Sequence, residues 1–295
     1  MNQAGTMISE TFAEMRRSFR LLRRNPSGFI GLILLVFMVL MAFVGPLIIP
    51  AETRANVKQI YQGPSWEHPL GTDFQGKDNL VQIIHGGKDI MIIAFLAGLM
   101  TTAIAVIVGG ISAFVGGAVD GFLMQMVDIW LTVPQFPLLA VLATLVRLDS
   151  PWLLALLLAL LSWPGLARQI RSQVLSLRRR DYVEAAVALD MGTSHIIFRE
   201  MLPNMMSYIA ISLVFAMTSA IYQQTGLVFL GLVPFSGANW GVMLSLAYAK
   251  GAMYQAQAAW NVLAPVGAIA LFELSLVMLA RSLDELFNPR LRTEV

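Results

Sequence analysis

Six runs of about 20 residues with almost no charge recur along the chain, near 28–49, 91–117, 122–147, 151–175, 205–231 and 259–281. A helix needs about 20 apolar residues to cross the hydrocarbon of a bilayer. Inside that layer only helices and closed barrels satisfy their own backbone groups. The runs therefore predict an all-α, polytopic membrane protein with six transmembrane helices. Composition agrees: 57% of residues are hydrophobic and 13% charged, more apolar surface than one soluble core uses.

Arg16, Arg17, Arg20, Arg23 and Arg24 precede the first run and give it the look of a secretory leader. Its apolar stretch is too long for one and no small-residue cleavage site follows, so the segment is expected to be retained. Cysteine is absent, which excludes disulfides and thiolate chemistry. A net charge of +2 is too small to argue for a nucleic-acid partner.

The placement of the basic residues sets the expected orientation. Fourteen Arg and Lys lie on one side of the alternating spans: the five above, six from Arg168 to Arg199, and Arg281, Arg290 and Arg292. Six lie on the other: Arg54, Lys58, Lys77, Lys88, Arg147 and Lys250. The positive-inside rule then puts both termini in the cytoplasm. The implied organisation is a cytoplasmic segment 1–27, a first span 28–49, an outer segment 50–90, a five-helix core 91–281 and a cytoplasmic tail 282–295. Within the core, a cytoplasmic loop is expected at 176–204 and an outer interfacial segment at 232–258.

Local signals refine this plan. Gly109, Ala113 and Gly117 are spaced four apart, a bare face for close helix packing. Pro134 and Pro137 are expected to kink the third span, and Trp163–Pro164–Gly165 the fourth. Gly231, Pro234 and Gly237 end the fifth, and Trp240, Tyr248, Tyr254 and Trp260 suit an aromatic belt at the membrane boundary.

The most informative stretch is the charged island RRRDYVEAAVALDMGTSHIIFREMLPN at 178–204. Its residues predict a short helix DYVEAAVAL with alanines 185 and 186 letting a partner approach and Glu184 offering a carboxylate. Asp190–Met191–Gly192 breaks that helix, and Thr193 or Ser194 is placed to cap the next. A helix–turn–helix on the inner face is a handle for a cytosolic protein.

This island resembles the EAA loop of bacterial ATP-binding-cassette importer permeases, with Glu184–Ala185–Ala186 and Leu202–Pro203 at the family spacing. The family glycine falls at Asp190 and a family aliphatic position at Glu200; Gly192 is the candidate for a turn displaced by two residues. RNPSGFIGLILL, HPLGTDFQGKD, FLGL at 229–232, Trp240–Gly241 and NPRLR extend the resemblance over nearly the whole chain. Together they are similar to the second, six-span permease of the dipeptide, oligopeptide and nickel family. The resemblance implies a type I importer permease in a bacterial or archaeal inner membrane. It further implies a heterodimer with a second homologous permease, two cytosolic ATPases that bind the ATP and Mg, and an extracytoplasmic substrate-binding protein. No cofactor, metal site or catalytic residue is then expected in this chain. None of the four lysines sits in a G-x-x-x-x-G-K-[ST] phosphate loop, so the ATPase is a different chain.

For docking, the implied residues are Tyr182, Val183, Glu184, Ala185, Ala186, Leu189, Asp190 and Gly192. Polar groups inside spans are costly without a role, so Glu273, Gln223 and Gln224 are the translocation-path candidates, while Asp128, near a span end, reads as structural. The family points to peptides. The neutral Gln224, where relatives commonly carry an acid, keeps oligosaccharides as the alternative. With only His68, His85 and His195 present, nickel is disfavoured. A secondary transporter or channel is the competing class; paired intramembrane acids and inverted repeats, which it predicts, are not evident. An intramembrane enzyme is disfavoured because Ser162, Ser212, Ser219 and Ser275 lack an evident base.

Overall fold

A computed structural model describes residues 25–51, 53–146, 148, 150–233 and 239–287. The arginines at 16–24, Arg147, Pro234, Gly237 and the NPRLR motif lie outside the described residues. Eleven helices are used below: α1 Pro26–Phe43, α2 Gly45–Ile48, α3 Asn79–Val115, α4 Gly117–Thr132, α5 Gln135–Leu145, α6 Pro151–Leu177, α7 Asp181–Ala188, α8 Thr193–His195, α9 Leu202–Phe229, α10 Trp240–Ala249 and α11 Trp260–Phe287. Among the described residues five helices are long and apolar enough to span a membrane, and α4 with α5, bent by 80°, makes six if that pair is one broken span.

The RNPSG motif explains the start of α1. Asn25 Oδ1 accepts a hydrogen bond from the Gly28 amide at 3.2 Å, and Pro26 takes the first helical position, where no amide is needed. Gly28 and Gly31 then form the seam with α11: a Cβ added at Gly28 would overlap Ser282, and one at Gly31 would come within 2.6 Å of the Met278 Cβ.

Helix α3 is the mast of the molecule. Its 37 residues make it roughly 55 Å long, against about 30 Å of hydrocarbon, so it projects well beyond the bilayer. It begins twelve residues before the expected span, because Lys88 and Asp89 end the apolar run without ending the helix. Asp78 starts it, accepting from the amides of Leu80 and Val81 at 2.6 and 3.2 Å. Gly116, at φ +69°, ends it.

That ending corrects the expected Gly109/Ala113/Gly117 face. Gly109 does meet α6, where an added Cβ would strike the Ala167 carbonyl, and Ala113 is buried beside Ile170 and Val174. Gly117 belongs to the next helix, and a Cβ added there would meet nothing within 4 Å. The expected break in the third span is present: Pro134 caps α5 at the 80° bend, as a residue with no amide to donate there permits. The one expected in the fourth is not, since α6 runs as one helix through Trp163–Pro164–Gly165. Trp240 does not join an aromatic belt: it is fully buried, donates from Nε1 to the Ile83 carbonyl at 2.9 Å and packs edge-on to Phe272. Tyr248 and Tyr254 are exposed.

Candidate functional site

The island between α6 and α9 is tied to the far end of α3. Arg178 Nη1 donates to the carbonyls of Ala113 and Phe114, both at 3.3 Å, and its guanidinium lies 5.8 Å from the centroid of the Phe114 ring. A cation placed on the last carbonyls of a helix satisfies acceptors that have no partner in the helix and complements its dipole.

Helix α7 turns two residues inward. Val183 and Ala186, three apart, are buried at 1% and 4% exposure among Ala113, Ile170, Val174, Ile196, Met201 and Met205. Tyr182, Glu184, Ala185, Val187 and Leu189 point outward, Leu189 at 73% exposure. The Ala-Ala pair is therefore split, which corrects the expectation that both alanines face a partner: Ala185 is available and Ala186 is core. The i, i+3 spacing of Val183 and Ala186 is the signal that identifies the buried stripe. Burial, the largest influence, pushes the Tyr182 hydroxyl above its ordinary value, so it is a neutral donor near pH 7.

Asp190 resolves the missing glycine. The Met191 amide donates to the Ala186 carbonyl at 3.1 Å and the Asp190 amide to the Val187 carbonyl at 3.0 Å, the paired bonds of a Schellman ending. The residue after the cap must then be left-handed, and Asp190 is, at φ +51°. Asp tolerates this region better than most side chains but less well than glycine. Gly192 does not supply a displaced turn, since its φ is −23°; it precedes α8 as cap, and Thr193 is the first residue of that helix. Asp190→Gly is expected to stabilise the loop by about 0.5–1 kcal/mol, measurable as a small rise in the thermal unfolding midpoint of the detergent-purified protein.

A π-helical stretch, Ile196–Met201, links α8 to α9. Such insertions frequently mark functional sites. Glu200, where the family carries an aliphatic residue, is only partly exposed and lies 3.6 Å from His195 across that stretch.

Above the handle, two ion pairs fasten α4 to α6. Arg171 binds both carboxylate oxygens of Asp120, which also accepts from Ser112 Oγ, and Arg168 pairs with Asp128. Asp128 thus has a structural partner.

The three path candidates lie in three different settings. Gln223 belongs to a neutral cluster: its Nε2 donates to Ser219 Oγ at 2.9 Å and Ser162 Oγ at 3.3 Å, while Gln135 Nε2 reaches Ser162 Oγ at 2.6 Å and Gln223 Oε1 at 3.2 Å. Glu273 Oε2 accepts from the exposed Tyr222 hydroxyl at 2.6 Å. Gln224 does not line an open wall. It is 1% exposed, and its Nε2 donates to the Ile90 carbonyl at 3.0 Å, so it clamps α9 to α3. Gln135 and Tyr222 were missed in the sequence; Gln135 follows the Pro134 break, and Tyr222 sits four residues before Gly226 on the exposed stripe of α9.

At the opposite end of α3, HPLGTDFQGKD forms a compact cap. His68 Nδ1 meets Asp78 Oδ2 at 2.8 Å, and Asp73 accepts from the amides of Gln75 and Lys77 and from Gln82 Nε2 at 2.7–2.9 Å. His85 contacts the Ile49 carbonyl at 2.8 Å. The three histidines are spread over both ends of the molecule, each with a local partner.

The described residues thus form a bundle of five spans, or six if the bent α4–α5 pair is one crossing, with an arginine-anchored helical handle at one end of the longest helix. Residues 105–293 match the family model described as "Binding-protein-dependent transport system inner membrane component", and 14–64 match the N-terminal transmembrane domain of oligopeptide transport permease C. A Brucella suis (biovar 1) protein with a provisional peptide-permease name is 32% identical over 292 residues, 98% of this chain and 96% of that one. OppC, an oligopeptide transport system permease of Bacillus subtilis, is 30% identical over 92% of this chain and 88% of its own length. DppC, a dipeptide transport system permease of the same species, is 30% identical over 98% and 90%. A chain of the MetNI methionine ABC transporter shares the fold at a TM-score of 0.55 and 13% identity, covering 68% of this chain and 96% of its own. The chain belongs to the family of binding-protein-dependent transport system inner membrane components. It is a multi-pass permease component of the inner membrane.

Proposed function

We propose that the chain forms, with a second homologous permease, the translocation path for di- and oligopeptides handed over by an extracytoplasmic binding protein. One of two cytosolic ATPases docks on the island at 178–204, and both termini lie on that side. The observation that carries this reading is the split face of α7. Val183 and Ala186 root the helix in the permease core, while Tyr182, Ala185 and Leu189 present an outward stripe left uncovered by the described residues. A helix so rooted, and tied through Arg178 to the end of α3, transmits a push from a closing ATPase dimer to the spans as a rigid displacement. Hydrolysis then belongs to the partners, and this chain supplies no catalytic group.

Glu273 with Tyr222 is the acidic group suited to a peptide's ammonium. The Gln135–Ser162–Gln223–Ser219 cluster, all amides and hydroxyls, favours the second reading of a hydroxyl-rich oligosaccharide. Uptake by proteoliposomes holding the complete transporter distinguishes them. Glu273→Gln is expected to lower peptide uptake about tenfold, the loss of one charge-assisted contact. Unchanged peptide uptake, or competition by oligosaccharides and not by peptides, contradicts the peptide assignment.

A further inference from the structure

The exposed surface of α6 changes character halfway along the helix. Leu153, Leu156 and Leu160 are exposed in its first half, whereas every exposed residue from Arg168 to Ser176 is polar. Ser162, Gly165, Gln169, Ser172 and Ser176 follow one another at steps of three and four, so they share one face. That face runs between two neighbouring helices. On one side Arg168 pairs with Asp128 of α4; on the other Gln169 Oε1 accepts from the Tyr208 hydroxyl of α9 at 3.0 Å. At the far end from the handle, Ser162 joins the Gln135–Gln223 cluster. Gly165 looks onto open space, since a Cβ added there would meet nothing within 4 Å.

Ser162 lies about 17 Å along α6 from Pro151, near the middle of a hydrocarbon layer of about 30 Å, and the face continues for about 21 Å to Ser176. Amides and hydroxyls turned toward lipid at that depth would lack partners. The face therefore meets water or protein, and the ion pair at its rim selects water. The Arg168 and Asp128 side chains are 51% and 63% exposed, whereas the centre of a protein interface is depleted of charge. Helix α4 carries a separate apolar face, the exposed Phe122, Met126 and Ile129, for lipid or the second permease.

We infer that the α6 face from Gly165 to Ser176 is a water-filled track lining the half of the solute path next to the handle; this rests on the importer assignment above. Neutral hydroxyls and amides offer a passing peptide backbone exchangeable hydrogen bonds and no unpaired charge to hold it, so side chains of many kinds can follow. Because the chain contains no cysteine, one introduced residue is its only thiol. The assembled transporter is placed in vesicles with its ATPases outward, preloaded with peptide and binding protein, and treated before ATP is added with a charged, membrane-impermeant thiol reagent. Gly165→Cys and Ser172→Cys are expected to react, and Leu160→Cys is not. ATP-driven peptide release is expected to fall in proportion to the fraction of Gly165→Cys or Ser172→Cys labelled. The inference is overturned if neither cysteine reacts, if Leu160→Cys reacts equally, or if labelling leaves release undiminished. Reaction in the detergent-purified chain but not in the assembled transporter also overturns it, assigning the face to the second permease. In all these cases ATP-driven release by the wild type leaves the importer assignment standing. If the wild type releases no peptide with ATP, that assignment itself fails, and the track with it.

Discussion

Replacing Leu189 with aspartate should leave the permease folded and inserted in the membrane while releasing its ATPase. Leu189 closes α7 with nearly three quarters of its area exposed and contributes nothing to the core beneath Val183 and Ala186. A large apolar side chain at the centre of a docking face typically contributes about 2 kcal/mol or more to binding, so a charge there should weaken ATPase association at least about 30-fold. Co-purification of tagged permease with its ATPase checks it. Val183→Asp supplies the contrast: a charge forced into a fully buried site should reduce the amount of folded permease recovered. If Leu189→Asp retained the ATPase at wild-type stoichiometry, the outward stripe of α7 would not be the docking face.

The second large effect is expected at the fastening of α4 to α6. Arg171 binds Asp120 through two nitrogen atoms, with the two side chains only 29% and 19% exposed. Arg171→Leu strands the carboxylate, and removing one member of such a pair costs about 3 kcal/mol. Because the pair is partly solvated, the lower end of the usual range applies. Thermal unfolding in detergent should show Arg171→Leu well below wild type. The double replacement Asp120→Leu/Arg171→Leu should recover much of the loss, since no charge is then left uncompensated. A double variant no better than the single would mean that the guanidinium acts by packing.

How much of this was legible in the sequence follows from which forces write a local signature. The span count was, because hydropathy over 20 residues is a direct record of the bilayer. So was the short helix of the handle, though not the division of its alanine pair between surface and core. The extent of α3 was not: Lys88 and Asp89 look like an ending, but a helix needs only a cap at Asp78 and a neighbour, not continuous hydrophobicity. Trp240 was misplaced because an aromatic near a span end suits either a membrane boundary or a buried niche, and the carbonyl of Ile83 that decides it lies 157 residues away. Gln224 was misjudged for the same reason, since its partner Ile90 is on another helix. Asp190 shows the converse. The departure from glycine looked like a displaced turn, yet the backbone kept the turn where the glycine would have put it and accepted a strained aspartate.

On this reading the chain moves solute only as the permease half of an ATP-driven machine, and uptake of labelled peptide into proteoliposomes tests that most directly. Vesicles carrying both permeases, the ATPases and the binding protein should accumulate peptide when ATP is supplied, and should stop when the Leu189→Asp permease replaces wild type. Peptide uptake by this chain alone, without ATP or partners, would contradict the account.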